Sequence, residues 1–224
     1  MHPIELTVLD MAGTTVADDG LVLHAFDEAA SAVGVPATGA ERDTARTYVL
    51  DTMGQSKIEV FRHLFGSEDR AQQANSTFER VYANSIECGV SAIPGAAEAM
   101  TRLRDAGLKV ALTTGFSPST QQRIIDELGW AEIADVVLAP GQGGRGRPYP
   151  DLVLNSLLRT GIDDVAKVAV LGDTSSDILS GLRAGASIVA GTLTGAHDAE
   201  TLSGAGATHV VATVADFADL CLSH

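Results

Sequence analysis

Short apolar runs alternate with longer amphipathic stretches along most of the chain. Each run is rich in β-branched residues and is followed by turn residues and then by a helical pattern. The runs are Leu6–Leu9, Val110–Thr113, Val136–Leu138, Val168–Leu171, Ser187–Ala190 and His209–Val211. Strands that are apolar at nearly every position are typical of a parallel sheet covered by helices on both faces. The alternation therefore predicts a doubly wound α/β fold.

The amphipathic stretches carry the start and stop signals of helices, with Pro or Ser before them and Gly after them. One stretch begins at Pro150 and stops before Gly161. Its spacing predicts that Leu154, Leu157 and Leu158 face the core.

One segment interrupts the alternation. From Leu21 to Glu87 the chain has no convincing strand, only helical patterns. The clearest of these patterns are Leu23–Val33, Lys57–Phe65 and Arg70–Ile86. We therefore expect a helical domain inserted after the first strand, with the α/β core at residues 1–17 and 92–224 and the insert at 18–91.

The net charge of the chain limits the kinds of molecule it can bind. Lys and Arg number 15 against 29 Asp and Glu, a net charge of −14. This balance argues against nucleic acid or an anionic membrane as partner, but a few local cations can still hold a small anionic substrate. The N-terminus has no signal peptide pattern and no apolar segment approaches a membrane span, so we expect a cytoplasmic protein. Cys88 and Cys221 lie far apart and are expected to be reduced thiols.

Residues with chemical function follow several of the predicted strands. The first strand ends in Asp10, the second in a TTG string that contains Thr114, and the fourth runs into GDTSSD with Asp173 and Asp177. Arg147 lies in the loop GRGRPYP. Taken singly, each has an ordinary structural explanation, such as a helix cap or a turn. Ligands bind at the carboxyl ends of such strands, so the whole set favours a functional site.

This set of side chains suits phosphoryl transfer. Asp10 would attack phosphorus and form an aspartyl-phosphate. Asp10 and Asp173, with a backbone carbonyl and waters, offer the hard oxygen ligands that Mg²⁺ prefers. The cation and Arg147 would offset charge on the phosphoryl oxygens, and Thr114 would donate a hydrogen bond to one of them.

The order of the motifs DMAGTT, LTTG, GRPYP and GDTSSD resembles the haloacid dehalogenase (HAD) superfamily of aspartate-nucleophile hydrolases. The resemblance implies a parallel-sheet core with an α-helical cap, of the C1 type, inserted after strand 1. Over nearly the whole chain, the sequence is most similar to the phosphonatase (phosphonoacetaldehyde hydrolase) branch. Most superfamily phosphatases have a second Asp two residues after the nucleophile and a Lys in the third motif. This chain has Ala12 and Arg147, as the phosphonatase branch does.

The resemblance implies a role for each matched residue near the metal. Asp10 would be the nucleophile. Mg²⁺ would be bound by Asp10, the Ala12 carbonyl and Asp173, and Asp177 would hold the metal shell.

The resemblance also implies a substrate site for a small anionic phosphonate or phosphate. Thr114 and Arg147 would contact the phosphoryl group. Further residues implied to lie around the substrate are Ala12, Gly13, Thr14, Met53, Gly54, Gly115 and Phe116. Because phosphonatases pair through their caps, the resemblance implies a homodimer.

A lysine in the insert matches the residue with which phosphonatases form a Schiff base, in the pattern Met53-Gly54-x-x-Lys57. Breaking a carbon–phosphorus bond leaves a carbanion, and an imine on the adjacent carbon gives those electrons a sink. Lys57 must be neutral to attack, which requires a pKa lowered by burial or by nearby cations. An enamine needs no proton donor as it leaves, so Ala12 in place of an acid fits the same mechanism.

Two positions differ from phosphonatases. Val60 stands where they have a His three residues after the lysine, and Phe116 stands where they have a Tyr. His63, six residues after Lys57, lies roughly a third of a turn from it around a helix and is a doubtful substitute. The differences predict a 2-oxoalkylphosphonate other than phosphonoacetaldehyde as substrate.

Three functions stay open at this point. The first is a Mg²⁺-dependent phosphonatase-like hydrolase that uses Asp10 and Lys57. The second is a phosphatase acting on a small phosphorylated metabolite, in which Lys57 clamps the substrate's phosphate. The third is a non-catalytic protein that senses a phosphorylated ligand, against which the complete set of acids speaks. For Lys57 alone, an exposed lysine without function is a further reading.

Overall fold

The computed structural model describes residues 3–87, 89–142 and 144–224. Within these residues the sheet has six parallel strands in the order β3-β2-β1-β4-β5-β6. The strands are β1 (Leu6–Asp10), β2 (Lys109–Thr113), β3 (Val136–Leu138), β4 (Val168–Gly172), β5 (Ile188–Thr192) and β6 (His209–Val211). Each agrees with a predicted run to within two residues.

Helices connect and cover the strands. They are α1 (Leu21–Ala32), α2 (Ala40–Asp51), α3 (Lys57–Phe65), α4 (Glu68–Glu87), α5 (Ala96–Asp105), α6 (Pro118–Glu127), α7 (Asp151–Thr160), α8 (Ser175–Ala184), α9 (Ala199–Gly204) and α10 (Val214–Leu222). A short 3-10 turn, Val165–Lys167, precedes β4. The strand order reverses between β1 and β4, which is where doubly wound sheets bind ligands.

Both faces of the sheet are buried. Leu6 and Val8 belong to an apolar cluster on one side, and Leu9 belongs to a cluster on the other side. Because neighbouring residues of a strand point to opposite faces, β1 must be apolar at almost every position. The prediction of a doubly wound α/β fold is confirmed.

Among the described residues between β1 and α5, the regular elements are all helices, and α1 and α3 pack against α4. Loops and two isolated β-bridges, Ala12–Val16 and Val16–Ala92, make up the rest. Phe26 lies at the centre of this packing, with its ring centroid 4.9 Å from those of both Phe61 and Phe78. The sequence did not predict α2, whose buried face includes Arg42. Arg42 tolerates burial because its guanidinium donates hydrogen bonds to carbonyl oxygens, including that of Pro36 at 2.8 Å. The domain boundaries at residues 17/18 and 91/92 stay a prediction.

The predicted inward face of α7 was wrong at two of its three positions, because only Leu157 packs against the apolar cluster, where it is partly buried. Leu154 and Leu158 are exposed, with 36% and 71% of their surface accessible, while Leu152, Val153 and Ser156 are buried. Ser156 can occupy the buried face because its hydroxyl donates a 2.8 Å hydrogen bond to the Leu152 carbonyl. The prediction counted only apolar residues, and it therefore chose a different face of the helix from the one that is buried.

Two smaller predictions concern the membrane and the cysteines. None of the helices in the described ranges is both long and apolar enough to cross a membrane. Cys221 is a buried free thiol, and burial raises its pKa to about 12. Cys88 lies outside the described residues.

Candidate active site at the carboxyl edge of the sheet

Asp10 is the last residue of β1, and a tight turn follows it. The Thr15 hydroxyl donates a 2.9 Å hydrogen bond to the Asp10 carbonyl, and the Thr15 amide donates one of 2.9 Å to the Met11 carbonyl. Gly13 in this turn has φ of +86°, and a Cβ there would come within 2.4 Å of an Asp173 carboxylate oxygen. Glycine is therefore required at position 13 by both conformation and space. The turn brings the end of β1 against the end of β4.

Asp10, Asp173 and Asp177 form a buried carboxylate cluster. One carboxylate oxygen of each lies within 4.8 Å of the others. Asp173 is oriented by hydrogen bonds from the Thr14 hydroxyl, at 3.2 Å, and from the Ala196 amide, at 2.7 Å. The acids predicted from the strand ends therefore do meet at one point.

Asp177 performs a structural task as well. It lies in the first turn of α8 and forms a capping box with Thr174, whose amide donates to Asp177 Oδ2 at 3.1 Å. Its other oxygen, Oδ1, pairs with Arg147 Nε at 2.7 Å. Gly172 makes room for it, since a Cβ there would lie 2.2 Å from Asp177 Cγ. Asp177 therefore caps α8, and its predicted role in supporting a metal site stays a prediction.

Arg147 connects the acids of the cluster. Its NH1 lies 2.6 Å from Asp10 Oδ1, and its NH2 donates a 2.6 Å hydrogen bond to the Thr113 hydroxyl. With Asp177 on Nε, the guanidinium is held from three directions and is almost fully buried. Thr113 was not among the predicted site residues. The two adjacent hydroxyls of the TTG string are the signal that could have revealed it.

The carboxylate cluster carries more negative charge than Arg147 can offset. Burial raises the pKa of Asp10 to about 7, although Arg147 acts in the opposite direction. Burial, followed by the charges of Asp10 and Asp177, raises the pKa of Asp173 well above its usual range. A cation bound among these oxygens would relieve the repulsion. No hydrogen bond reaches the Ala12 carbonyl from any described residue, so this oxygen is also available. The donor set is suited to a metal ion.

The loop between α2 and α3 presses directly onto the core. A Cβ on Gly115 would lie 2.5 Å from the Gln55 carbonyl oxygen, and a Cβ on Gly54 would lie 2.5 Å from the Thr174 hydroxyl. The Lys57 amide donates a long hydrogen bond of 3.4 Å to the Gly115 carbonyl. These two glycines permit a close approach that any side chain would prevent.

Lys57 begins α3 and is buried, with 6% of its surface exposed. Its Nζ lies 5.3 Å from the ring centroid of Phe116 and 5.8 Å from that of Phe26. Among the described residues, no carboxylate lies within ion-pair distance of this ammonium group. Burial lowers the pKa of Lys57, and the charges of Asp10 and Asp18 act in the opposite direction. The environment favours the neutral amine that a nucleophilic lysine needs.

A cavity of about 490 Å³ joins Lys57 to the carboxylate cluster. The predicted site residues that line it are Asp10, Ala12, Gly13, Met53, Gly54, Lys57, Thr114, Gly115, Phe116, Arg147 and Asp173. Thr14 and Asp177 do not line it. Thr14 donates a hydrogen bond to Asp173, and Asp177 pairs with Arg147. A wider groove of about 1540 Å³ lies beside it but contains neither Asp10 nor Asp173, so the smaller cavity is the candidate site.

Two residues that the sequence analysis considered for the site, Val60 and His63, do not line the smaller cavity. Val60 is buried within the insert. His63 is exposed and stacks on Tyr48 with ring centroids 4.4 Å apart, and it does not line the smaller cavity. Asp18 does line that cavity, at the crossing from β1 into α1, and sequence reasoning missed it.

A parallel α/β core with a buried cluster of strand-end carboxylates defines a class of hydrolases. A family model described as haloacid dehalogenase-like hydrolase matches residues 4–185, and the chain belongs to this family. The predicted relationship to the haloacid dehalogenase superfamily and the assignment as a hydrolase are confirmed.

Proteins similar to this chain include phosphonoacetaldehyde hydrolases and phosphatases. Phosphonoacetaldehyde hydrolase from Pseudomonas putida is 29% identical over 195 residues, which cover 81% of this chain and 70% of that protein. A crystal structure of a phosphonoacetaldehyde hydrolase-like protein from Oleispira antarctica has a TM-score of 0.84 at 23% identity, covering 99% of this chain and 92% of the other. That of a putative phosphoglycolate phosphatase from Lactobacillus delbrueckii subsp. bulgaricus has a TM-score of 0.81 at 19% identity, covering all of both chains. The two structural likenesses show the shared fold.

Proposed function

We propose that this chain is a Mg²⁺-dependent hydrolase that cleaves the carbon–phosphorus bond of phosphonoacetaldehyde or of a related 2-oxoalkylphosphonate. The observation that carries the proposal is the buried Lys57, with its lowered pKa, in the same cavity as Asp10. Hydrolysis of a phosphate ester does not require a nucleophilic amine, whereas an imine on the carbonyl of a 2-oxophosphonate activates its carbon–phosphorus bond. The similarity to the Pseudomonas putida enzyme supports the same reaction.

The phosphoryl end of the substrate belongs beside Asp10. The Asp10 carboxylate would attack phosphorus and form an aspartyl-phosphate, which water then hydrolyses. Arg147 now contacts Asp10, so its guanidinium is already placed to hold phosphoryl oxygens as they approach. Thr114 is buried at the end of β2 and lines the same cavity, where its hydroxyl can donate to another of these oxygens.

Mg²⁺ fits the acidic side of this site. Asp10, the Ala12 carbonyl and Asp173 would hold it, and Asp177 would support the arrangement through Thr174 and Arg147. A bound divalent cation supplies positive charge that offsets the charge of the transferred phosphoryl group.

Mg²⁺ is expected to raise the free energy of unfolding, because a ligand that binds only the folded protein stabilises it. At a concentration about 100 times its Kd the gain is about 2.7 kcal/mol. Asp173→Asn should lose most of this gain, since it removes a charge from the cluster. Thermal unfolding in Mg²⁺ and in EDTA measures the gain in the wild-type protein and its loss in Asp173→Asn. Asp163→Asn, at an exposed position, is the matched control, and equal Mg²⁺ shifts in the two variants would contradict the metal site.

The carbonyl end of the substrate belongs beside Lys57. The neutral amine adds to the carbonyl carbon, one proton is taken up from solvent and water leaves, which forms a protonated imine. When phosphorus passes to Asp10, the electrons of the broken bond move to the imine nitrogen and a neutral enamine remains. Protonation of the enamine carbon and hydrolysis return Lys57 and release the carbonyl product. No acid at position 12 is needed for this leaving group.

The remaining walls of the cavity support a longer substrate. They include the apolar residues Val22, Leu23, Leu50 and Ile93. The volume of about 490 Å³ lies within the range of sites for small organic ligands. We therefore expect 2-oxoalkylphosphonates with an apolar extension to bind at least as well as phosphonoacetaldehyde.

Borohydride trapping with a phosphonate series tests the proposal. The protein is incubated with Mg²⁺ and with phosphonoacetaldehyde or longer 2-oxoalkylphosphonates, and released phosphate is measured. In parallel, borohydride is added and the labelled peptide is mapped by mass spectrometry. We expect phosphate release and a reduced adduct on Lys57. Hydrolysis of phosphate esters with no adduct from any oxophosphonate would overturn the proposal.

A phosphatase acting on a small phosphorylated metabolite is the second candidate. The position of Lys57 Nζ over the rings of Phe116 and Phe26 favours it, because aromatic ring faces attract a charged ammonium group. In this function Lys57 would stay charged and clamp a phosphate of the substrate. The two candidates make different demands on the amine, and variants of Lys57 distinguish them.

A further inference from the structure

A further acid, besides Asp10 and Asp173, reaches the cavity from the start of the helical insert. Asp18 lies on the crossing between β1 and α1 and is partly buried. Its Oδ1 accepts a 3.2 Å hydrogen bond from the Val22 amide, which fixes the carboxyl group at the first turn of α1. Asp18 and Lys57 both line the 490 Å³ cavity. The neighbouring Asp19 also lines it, but Asp19 is exposed whereas Asp18 is partly buried.

Asp18 and Lys57 are near each other without touching. No ion pair joins them in the described part of the chain, yet the charge of each acts on the pKa of the other. Burial raises the pKa of Asp18, and the Val22 amide and Lys57 act in the opposite direction. A carboxyl group in this environment holds a proton more readily than an exposed Asp. The cavity that both residues line has space for a carbonyl group.

The other titratable groups around Lys57 are engaged elsewhere. Asp10 and Arg147 are paired with each other at the phosphoryl end. Glu79 accepts hydrogen bonds from the hydroxyls of Ser117 and Thr120. Of the charged groups that act on the pKa of Lys57, Asp18 is therefore the one that lines the cavity and lies outside the phosphoryl site.

We propose that Asp18 transfers the protons for the imine chemistry of Lys57, an inference that rests on the proposed function. After the amine adds to the carbonyl, the Asp18 carboxylate takes a proton from nitrogen while the alkoxide takes one from solvent. The Asp18 carboxylic acid then gives its proton to the hydroxyl group, which leaves as water as the nitrogen lone pair forms the imine. Asp18 ends as a carboxylate. The net uptake is one solvent proton, carried by the imine.

Substitutions at Asp18 separate this role from helix capping. Asp18→Asn keeps an oxygen that can accept the Val22 hydrogen bond but cannot exchange protons. It is expected to slow the appearance of the borohydride-reduced Lys57 adduct by about 10²-fold, the lower range for general acid–base catalysis. Asp19→Asn makes the same change of charge on the same turn and should keep the wild-type rate. In Asp18→Ala, added formate should restore part of the rate by taking the place of the missing carboxylate.

The outcomes distinguish this inference from the proposed function. A wild-type rate of adduct formation in Asp18→Asn, with slow formation only in Asp18→Ala, would show a capping role and overturn the inference while the Lys57 imine stands. Absence of any adduct in the wild-type protein with every 2-oxophosphonate would overturn both. Slow formation in Asp18→Asn together with formate rescue of Asp18→Ala supports Asp18 as the proton-transfer residue.

Discussion

Asp10→Asn is expected to abolish turnover of every substrate, by at least about 10⁴-fold, equivalent to roughly 5.5 kcal/mol of transition-state stabilisation. An amide cannot form the aspartyl-phosphate through which both candidate reactions pass. The substitution is nearly isosteric, and the amide oxygen can still accept a hydrogen bond from Arg147. Phosphate release from a phosphonate and from phosphate esters measures the loss.

Folding of the Asp10→Asn variant is the necessary control. Burial already raises the pKa of Asp10 to about 7, so the charged carboxylate is poorly accommodated in the folded protein. Replacing it by a neutral amide also relieves repulsion with Asp173. The melting temperature in EDTA should therefore not fall by more than a few degrees. Turnover that survives in a well-folded variant would remove Asp10 as the nucleophile.

Lys57→Arg is expected to lower carbon–phosphorus cleavage by at least about 10³-fold, or roughly 4 kcal/mol. A guanidinium stays protonated and forms no imine, although it keeps the positive charge. If Lys57 instead clamps a phosphate, the same variant should retain much of its activity on esters. Phosphate release and borohydride trapping, measured side by side, separate the two functions.

Lys57→Met completes the comparison. The apolar side chain suits the ring faces of Phe26 and Phe116 and removes both the amine and the charge. The imine mechanism predicts that Arg and Met are equally inactive on phosphonates. If Lys57 instead clamps a phosphate, Lys57→Met should be inactive on phosphate esters and Lys57→Arg should stay active on them. Wild-type phosphonate cleavage in either variant would contradict the Schiff base.

Much of the site could be predicted because it follows local features of the chain. Asp10, Thr114 and Asp173 each come directly after a β-branched run, and the end of a parallel strand is where such folds bind ligands. Lys57 was predicted because the pattern Met53-Gly54-x-x-Lys57 in the insert resembles that of phosphonatases. The missed residues, Thr113 and Asp18, are an ordinary strand end and an ordinary helix start in sequence terms.

Other features could not be predicted because they depend on which of several equivalent arrangements packs best. The inward face of α7 was such a case, since two overlapping stripes of the helix have helical spacing and a serine with a satisfied hydroxyl belongs to the buried one. The α2 helix was another, because Arg42 on its buried face is stabilised by carbonyl groups from a different segment. Periodicity counts side-chain polarity and does not include such hydrogen bonds.

The sequence by itself determined the order of the six strands along the chain, the helical character of the insert, the acids at the strand ends and the types of chemistry open to these groups. These properties depend on neighbouring residues and on the types of side chain. Only the tertiary structure decided that Arg147 pairs with Asp10, 137 residues away, that Lys57 is buried against Phe116, and that Asp18 reaches the same cavity. Charge, burial and pKa in a site arise from distances between segments remote in sequence, and packing sets those distances.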